Sequence, residues 1–233
     1  MNKPFFSIAI PTYEMHGYGE DFLTYNFSIL SKQTFKSFEV VVSDHSINNV
    51  IRDLCEKWSE ILNIRYFKND YKIGGSSPNI NNAIKLSKGE WIKLLFQDDF
   101  LFGNNALENL KKHIDKNPNI IWIATACEHT QNGKDMYRPF YPSWNNKIHT
   151  GINTISSPSV ITIKNTEEKF YFDEDLIWLM DVEYYKRMYD SYGEPSYLNT
   201  INVVNRTWSK SVSNNLSEER KNEEVIRLLK IYN

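Results

Sequence analysis

The sequence predicts an α/β fold with a mixed, mostly parallel central sheet flanked by helices. Short β-rich runs alternate with helix-period segments through the first half, the pattern of strands joined by crossover helices. Three of the early strands end in polar residues. No linker or internal repeat interrupts the 233 residues, so one domain over 1–233 is expected, with a single sizeable core.

The elements follow in order. Phe6 to Ile10 reads as a strand, and Leu23, Phe27 and Leu30 then recur at helical spacing. Phe38 to Ser43 is a second strand, followed by a helix carrying Val50, Leu54 and Trp58, and Ile64 to Phe67 is a third strand. Ser77-Pro78 reads as an N-cap and first helical residue, with Ile80, Ala83 and Ile84 as the apolar face and Gly89 as the stop. Trp91 to Phe96 is a buried strand running into Gln97-Asp98-Asp99. Ala106, Leu107, Leu110 and Ile114 mark a helix closed by Pro118, and Ile120 to Ala126 is the next strand.

From Glu128 to Thr150 the chain is polar and aromatic without period, which predicts a long loop of the functional kind. A strand at Val160 to Ile163, a helix from about Leu179 to Tyr189 and a strand near Val203 to Trp208 follow. Ser217 to Tyr232 reads as an amphipathic helix carrying Val225, Ile226 and Leu229.

Composition excludes several function classes. A formal charge of -2 with interspersed signs provides no basic stripe for a nucleic-acid backbone. Cys55 and Cys127 are isolated, which argues against thiolate metal binding and a disulfide framework, and fits a reducing cytoplasm. The apolar stretch Phe5 to Ile10 is too short for a signal peptide, and no run approaches the roughly 20 apolar residues of a membrane span. Peripheral association with a membrane surface stays open. Neither GxGxxG nor GxxxxGK[ST] occurs, the five histidines lack zinc spacing, and GxSxG is absent.

Ligands of open α/β sheets bind beyond the carboxyl ends of the strands. Those ends here carry Pro11-Thr12-Tyr13-Glu14, Asp44-His45-Ser46 and Gln97-Asp98-Asp99. Each alone could be a cap or turn, but together they point to a site. The Asp98-Asp99 pair suits a hard divalent cation shared with substrate phosphates.

The order FSIAIPTYE, SKQTFKSFEVVVSDHS, GGSSPNINNAIKLSKGEWIKLLFQDDF and LIWLMDVEYYKRM resembles the inverting family 2 glycosyltransferases of the GT-A fold, from about residue 5 to 213. The resemblance implies transfer of a sugar from a nucleoside-diphosphate sugar to a saccharide or lipid-linked acceptor, in glycan or polysaccharide assembly. It assigns Pro11, Thr12, Tyr13 and Glu14 to the loop holding the nucleotide base, and Asp44 and Ser46 to a second nucleotide-contacting loop. Asn79 and Asn81 fall on the helix bordering the pocket, and Gln97, Asp98 and Asp99 on the acidic motif. The last two would bind Mg2+ or Mn2+. Asp181 falls at the position of the general base, with Glu183 or Asp175 next in line, and Gln33-Thr34 is structural.

Phe96 stands where the family's acidic triplet has a carboxylate, and Trp208 where many relatives place a histidine. The implied halves are a nucleotide-binding part to about 127, an acceptor-binding part over about 128–216, and the C-terminal helix over about 217–232. Trp144, Tyr137 and Tyr141, with the 153–159 stretch, would frame the acceptor. A degenerate nucleotide-sugar-binding module and a nucleotidyltransferase of related topology are the alternatives. The base, sugar, acceptor and oligomeric state are not encoded in these short motifs.

Overall fold

Strands form where β-branched and aromatic residues cluster. They are β1 (Phe6–Thr12), β2 (Phe38–Asp44), β3 (Ile64–Lys68), β4 (Trp91–Leu94), β5 (Phe100–Leu101), β6 (Trp122–Thr130), β7 (Ile161–Lys164) and β8 (Ser196–Arg206). In this computed structural model, which describes residues 3–232, they make one sheet in the order β3-β2-β1-β4-β7-β6-β8-β5. β1 pairs in parallel with β2 and β4, β2 with β3, and β6 with β8. β7 runs antiparallel to β4 and β6, and β5 antiparallel to β8. The sheet is mixed and mostly parallel, as the resemblance implies, and the strand–helix alternation accounts for its parallel part.

β1 and β2 are buried along their whole length, because crossover helices cover the parallel region. Those helices are α1 (Gly19–Ser31), α2 (Val50–Trp58), α3 (Ser76–Leu86), α4 (Ala106–Lys116) and α5 (Met180–Tyr192), followed by α6 (Val212–Asn215) and α7 (Glu218–Tyr232). None of α1 to α5 has a side-chain N-cap bond. Such a cap contributes about 1 kcal/mol. Burying a single Leu or Phe contributes about 1.5–3 kcal/mol, and α1 buries Leu23, Phe27 and Leu30. Packing, not capping, holds these helices.

Several local expectations shift. α2 turns Val50 to solvent and buries Ile51, Leu54 and Cys55. α3 starts at Ser76 behind Gly75, so Ser77 is not the cap; its hydroxyl donates to Leu176 O at 3.2 Å. The 128–150 loop is shorter than expected, since β6 continues to Thr130 and bridges Cys127↔Phe140 and Thr130↔Met136 fold the chain back on it. The last sheet strand begins at Ser196 and stops at Arg206, short of Trp208.

Register positions the site. Thr12 lies opposite Asp44, and Leu95 N–H continues the β1 pairing by donating to Ala9 O at 3.0 Å. β1, β2 and β4 therefore release their carboxyl ends along one edge. Gly89, expected to stop α3, lies beyond the extended Ser87 that ends that helix. It is glycine because a Cβ there would lie 2.5 Å from Ser7 N. Its own N–H donates to the Ser7 hydroxyl at 2.7 Å. Gly89→Ala should destabilise the fold by at least about 1–3 kcal/mol through overpacking, read as a lower urea midpoint at unchanged slope.

Candidate active site

The three polar strand ends open on a cavity of about 1010 Å³. Pro11 lines it from β1, Tyr13 and Glu14 from just beyond that strand, Asn79 from α3, and Gln97, Asp98 and Asp99 from beyond β4. Asn153, Ser156 and Ser157 line it from the loop before β7, Asp181 from α5, and Arg206 and Trp208 from the end of β8. The cavity thus lies at the carboxyl edge of the sheet, where ligands of open α/β sheets bind, and it is the candidate site.

Hydrogen bonds sort these residues. Gln97 is buried and accepts Tyr13 N–H at 2.9 Å while donating to Gly19 O at 2.8 Å, so it braces the β1 loop. The Glu14 carboxylate accepts Ile47 N–H. Asn79 accepts the Ser43 hydroxyl at 2.7 Å and donates to Thr12 O at 2.9 Å. These residues shape the wall and bind neighbouring loops to it.

Asp44, Thr12 and Ser46 come together beneath the cavity and do not line it. Asp44 is buried and accepts the hydroxyls of Thr12 (3.2 Å), Ser46 (2.6 Å) and Tyr66 (2.8 Å) and the Ser46 N–H (2.9 Å). Burial and the Asp44 carboxylate push the Tyr66 phenol up. Asn81 also lies off the cavity and clamps the Phe172 backbone with bonds of 2.9 and 2.8 Å. Thr12, Asp44, Ser46 and Asn81 thus differ from direct-contact expectations because backbone and side-chain partners already occupy them.

The two halves of the acidic pair differ. Asp99 accepts Arg206 N–H at 2.9 Å and the Ser157 hydroxyl at 3.2 Å. Burial first, then Asp98, push its carboxyl up to about 7. Asp98 faces the cavity and forms no salt bridge among the described residues, and burial raises its carboxyl against the pull of Trp208 and Arg206. The Trp208 indole N–H acts on Asp98 from nearby but makes no hydrogen bond of good geometry. Arg206 donates from Nε to Asp98 O at 3.2 Å and stacks on Phe22, 4.6 Å from the ring centre.

Asp181 opens α5 into the same cavity. Oδ1 accepts Val182 N–H at 2.7 Å and Oδ2 accepts Asn153 Nδ2–H at 2.7 Å. Burial pushes its carboxyl up to about 7 despite those donors, and the Glu224 charge adds to the rise. Glu183 is buried against Arg187 and Tyr232, and Asp175 pairs with Arg227. Both alternatives to Asp181 are committed to structure.

The sequence reading missed Glu224. It sits on the buried face of α7, and its carboxylate accepts the N–H groups of Ile177, Trp178 and Leu179, each at 2.9 Å. The signal was an acid in register with Leu228 on an otherwise apolar stripe. Trp144, proposed to stack on sugars, instead stacks on Tyr189 at 3.9 Å between ring centres. None of Trp144, Tyr137 and Tyr141 lines the cavity; His129, Arg138 and Phe140 do.

The family model described as Glycosyl transferase family 2 matches residues 7–188. The chain belongs to that family. A search of curated proteins finds the poly(ribitol-phosphate) β-N-acetylglucosaminyltransferase TarS of Staphylococcus aureus 29% identical over 113 residues, 48% of this chain and 19% of TarS. The crystal structure of S. aureus TarS 1–349 in complex with UDP aligns with a TM-score of 0.73 at 22% identity, covering 97% of this family 2 chain and 64% of that one. The mannosyltransferase PcManGT from Pyrobaculum calidifontis, in complex with GDP-Man and Mn2+, aligns with a TM-score of 0.63 at 15% identity, covering 91% and 59%. The family 2 chain therefore has the GT-A fold and spans less than two thirds of each of these relatives.

A metal can be tested against the donor set. Among the described residues no group of three or more His, Cys, Asp or Glu side chains is placed to hold an ion. Both Asp99 oxygens already have protein donors, and an indole N–H cannot ligate a cation. The Asp98 carboxylate fits an ion that brings its other oxygen ligands with a diphosphate, as Mg2+ commonly does. Asp99, expected as a second ligand, has one donor on each oxygen and so less acceptor capacity to spare than Asp98.

Glu224→Ala should cost about 3 kcal/mol or more, because it removes charge-assisted hydrogen bonds and leaves buried N–H groups unpaired. Chemical denaturation compared with Glu224→Gln, which keeps one acceptor oxygen, measures it.

Proposed function

We propose that this chain is an inverting glycosyltransferase that moves a sugar from a nucleoside-diphosphate sugar to a hydroxyl of a saccharide or lipid-linked acceptor. One observation carries the reading: two carboxylates, Asp98 and Asp181, which form no salt bridge among the described residues, line a single cavity at the carboxyl edge of a GT-A sheet. A purely binding module has no need of a carboxyl held near neutrality on the cavity wall. Family membership favours sugar transfer over nucleotidyl transfer.

In this reading Tyr13, Glu14 and Asn79 form the nucleotide wall, with Thr12, Asp44 and Ser46 as its foundation. Arg206 and Lys210, both lining the cavity, supply positive charge toward the diphosphate. Asp98 would hold a divalent ion delivered with the donor; when bound, that ion neutralises charge developing on the leaving diphosphate. Asp181 takes the proton of the acceptor hydroxyl as its oxygen bonds to the anomeric carbon and the bond to the diphosphate breaks. A single displacement inverts that carbon. The nucleotide half to about 127 and the acceptor half beyond it belong to the same proposal.

A base must be ionised, so the rate should rise with pH through about 7 and then level off. Stability runs the other way. The folded carboxyl lies above its ordinary 3.8, so its protonated form stabilises the fold at low pH, and that contribution is lost as pH rises through about 7. Asp181→Asn should lower turnover by about 10²- to 10⁴-fold with donor affinity retained, and should gain melting temperature relative to wild type above pH 7.

Thermal shift and transfer assays with UDP-, GDP- and dTDP-sugars, with Mg2+ or Mn2+, test the donor class. UDP-sugars come first because the aligned TarS structure contains UDP. Mg2+ alone should leave the melting temperature unchanged, whereas nucleotide with Mg2+ should raise it. Absence of a shift with every nucleoside diphosphate would overturn the reading.

A further inference from the structure

Asn153 has every hydrogen-bonding position of its amide in use. Oδ1 accepts Ile155 N–H at 3.0 Å and Ser156 N–H at 2.9 Å. Nδ2 donates to Ser156 O at 3.0 Å and to Asp181 Oδ2 at 2.7 Å. The two backbone N–H groups require an acceptor, so the amide has one permitted orientation. Only a donor can face Asp181.

The turn that carries Asn153 is held from behind. Ser156 has φ +93°, a conformation costly for a residue with a side chain, and it persists where surroundings over-determine it. Tyr185 OH donates to Ser156 O at 3.0 Å, and Asn205 Nδ2 donates to Ser156 Oγ at 2.8 Å. Asn205 Oδ1 in turn accepts the Ser157 hydroxyl at 2.9 Å, which also reaches Asp99 Oδ2 at 3.2 Å. A continuous hydrogen-bonded chain joins Asp181 on α5 to the acidic motif after β4.

We propose that Asn153 is the positioning residue of the general base, fixing the plane of the Asp181 carboxylate against the Val182 N–H and tying it to the Asp99 side of the cavity. The inference rests on Asp181 being the base. Two oxygens, each holding one protein donor, leave the carboxylate no free rotation, while each keeps acceptor capacity for the substrate hydroxyl. The other titratable groups acting on Asp181 are Glu224 from α7 and Tyr185 from α5; the Tyr185 hydroxyl shares the Ser156 O acceptor with Asn153.

Asn153→Asp is the discriminating variant. It keeps an oxygen for the Ile155 and Ser156 N–H groups, so the turn survives, but replaces the donor facing Asp181 with a second carboxylate oxygen. Carboxyl NMR of Asp181 in the full chain, identified by its loss in Asp181→Asn, should report a titration moved up by about one pH unit or more, since a donor is lost and a like charge gained. The ascending limb of the pH–rate profile should move with it, lowering kcat near pH 7 by about tenfold, with donor KM unchanged. Asn205→Ala should shift the same limb less.

An unmoved Asp181 titration in folded Asn153→Asp overturns the proposal whatever the enzyme's activity. A moved titration with an unmoved rate limb places the base elsewhere, removing what the proposal rests on. Loss of melting temperature with no change in either titration would make Asn153 structural only.

Discussion

Strands β4 and β8 are not neighbours in the sheet, yet the acidic motif beyond β4 and the last residues of β8 form one wall; β5, next after the motif, pairs with β8, and the Asp99 carboxylate adds a side-chain tie. It accepts Arg206 N–H from β8 and the Ser157 hydroxyl from the loop before β7, while its backbone carbonyl accepts Asn26 Nδ2–H from α1 at 3.0 Å. Removing the carboxylate strands two donors at once, Arg206 N–H and the Ser157 hydroxyl, each at a cost of about 1–3 kcal/mol. Lys93, buried beneath the same wall, donates to Ser159 O; burial brings it down to about 7 and Asp99 opposes that fall. A charged group thus serves as a structural tie, and the cavity inherits its shape from it.

Most of the parallel half was legible from sequence because its signals are local. The spacing of Leu107, Leu110 and Ile114 specified the buried face of α4, and the polar residues after β1, β2 and β4 marked the edge where the cavity lies. The second half depends on pairings between distant residues. β6 pairs in parallel with β8 across a register shift near Ala126, and no local period encodes that. Glu224 reaches Ile177 to Leu179 across more than 40 residues, and Asn153 reaches Asp181 across 28. A surface-looking acid and a loop asparagine acquire these roles only through tertiary contact.

Several residues that the motifs mark share one feature. Asp44, Ser46, Thr12 and Asn81 sit at positions read as ligand-facing, but each spends its polar atoms on the protein. A buried polar group must be paired, and a strand end supplies unpaired backbone and hydroxyl donors in abundance. Side chains at such ends are used first to finish the fold. Position in a motif therefore locates the pocket better than it identifies the groups that touch its contents.

A bond inventory separates structural from reactive acids more sharply. Asp44 carries four donors, so it has little freedom to change partner or protonation without disturbing the fold. Asp181 holds one donor on each oxygen, enough to aim it and too few to hold its carboxyl in the ordinary range against burial. In the proposed role, a third or fourth donor would lower the pKa and weaken the base, and loss of one would leave the carboxylate unaimed. The α7 carboxylate of Glu224 enters this balance twice, since it organises the turn that starts α5 and its charge disfavours ionisation of Asp181. The C-terminal helix is thereby coupled to the chemistry of a residue it never contacts through a hydrogen bond, which gives a physical reason for an acid on its buried face.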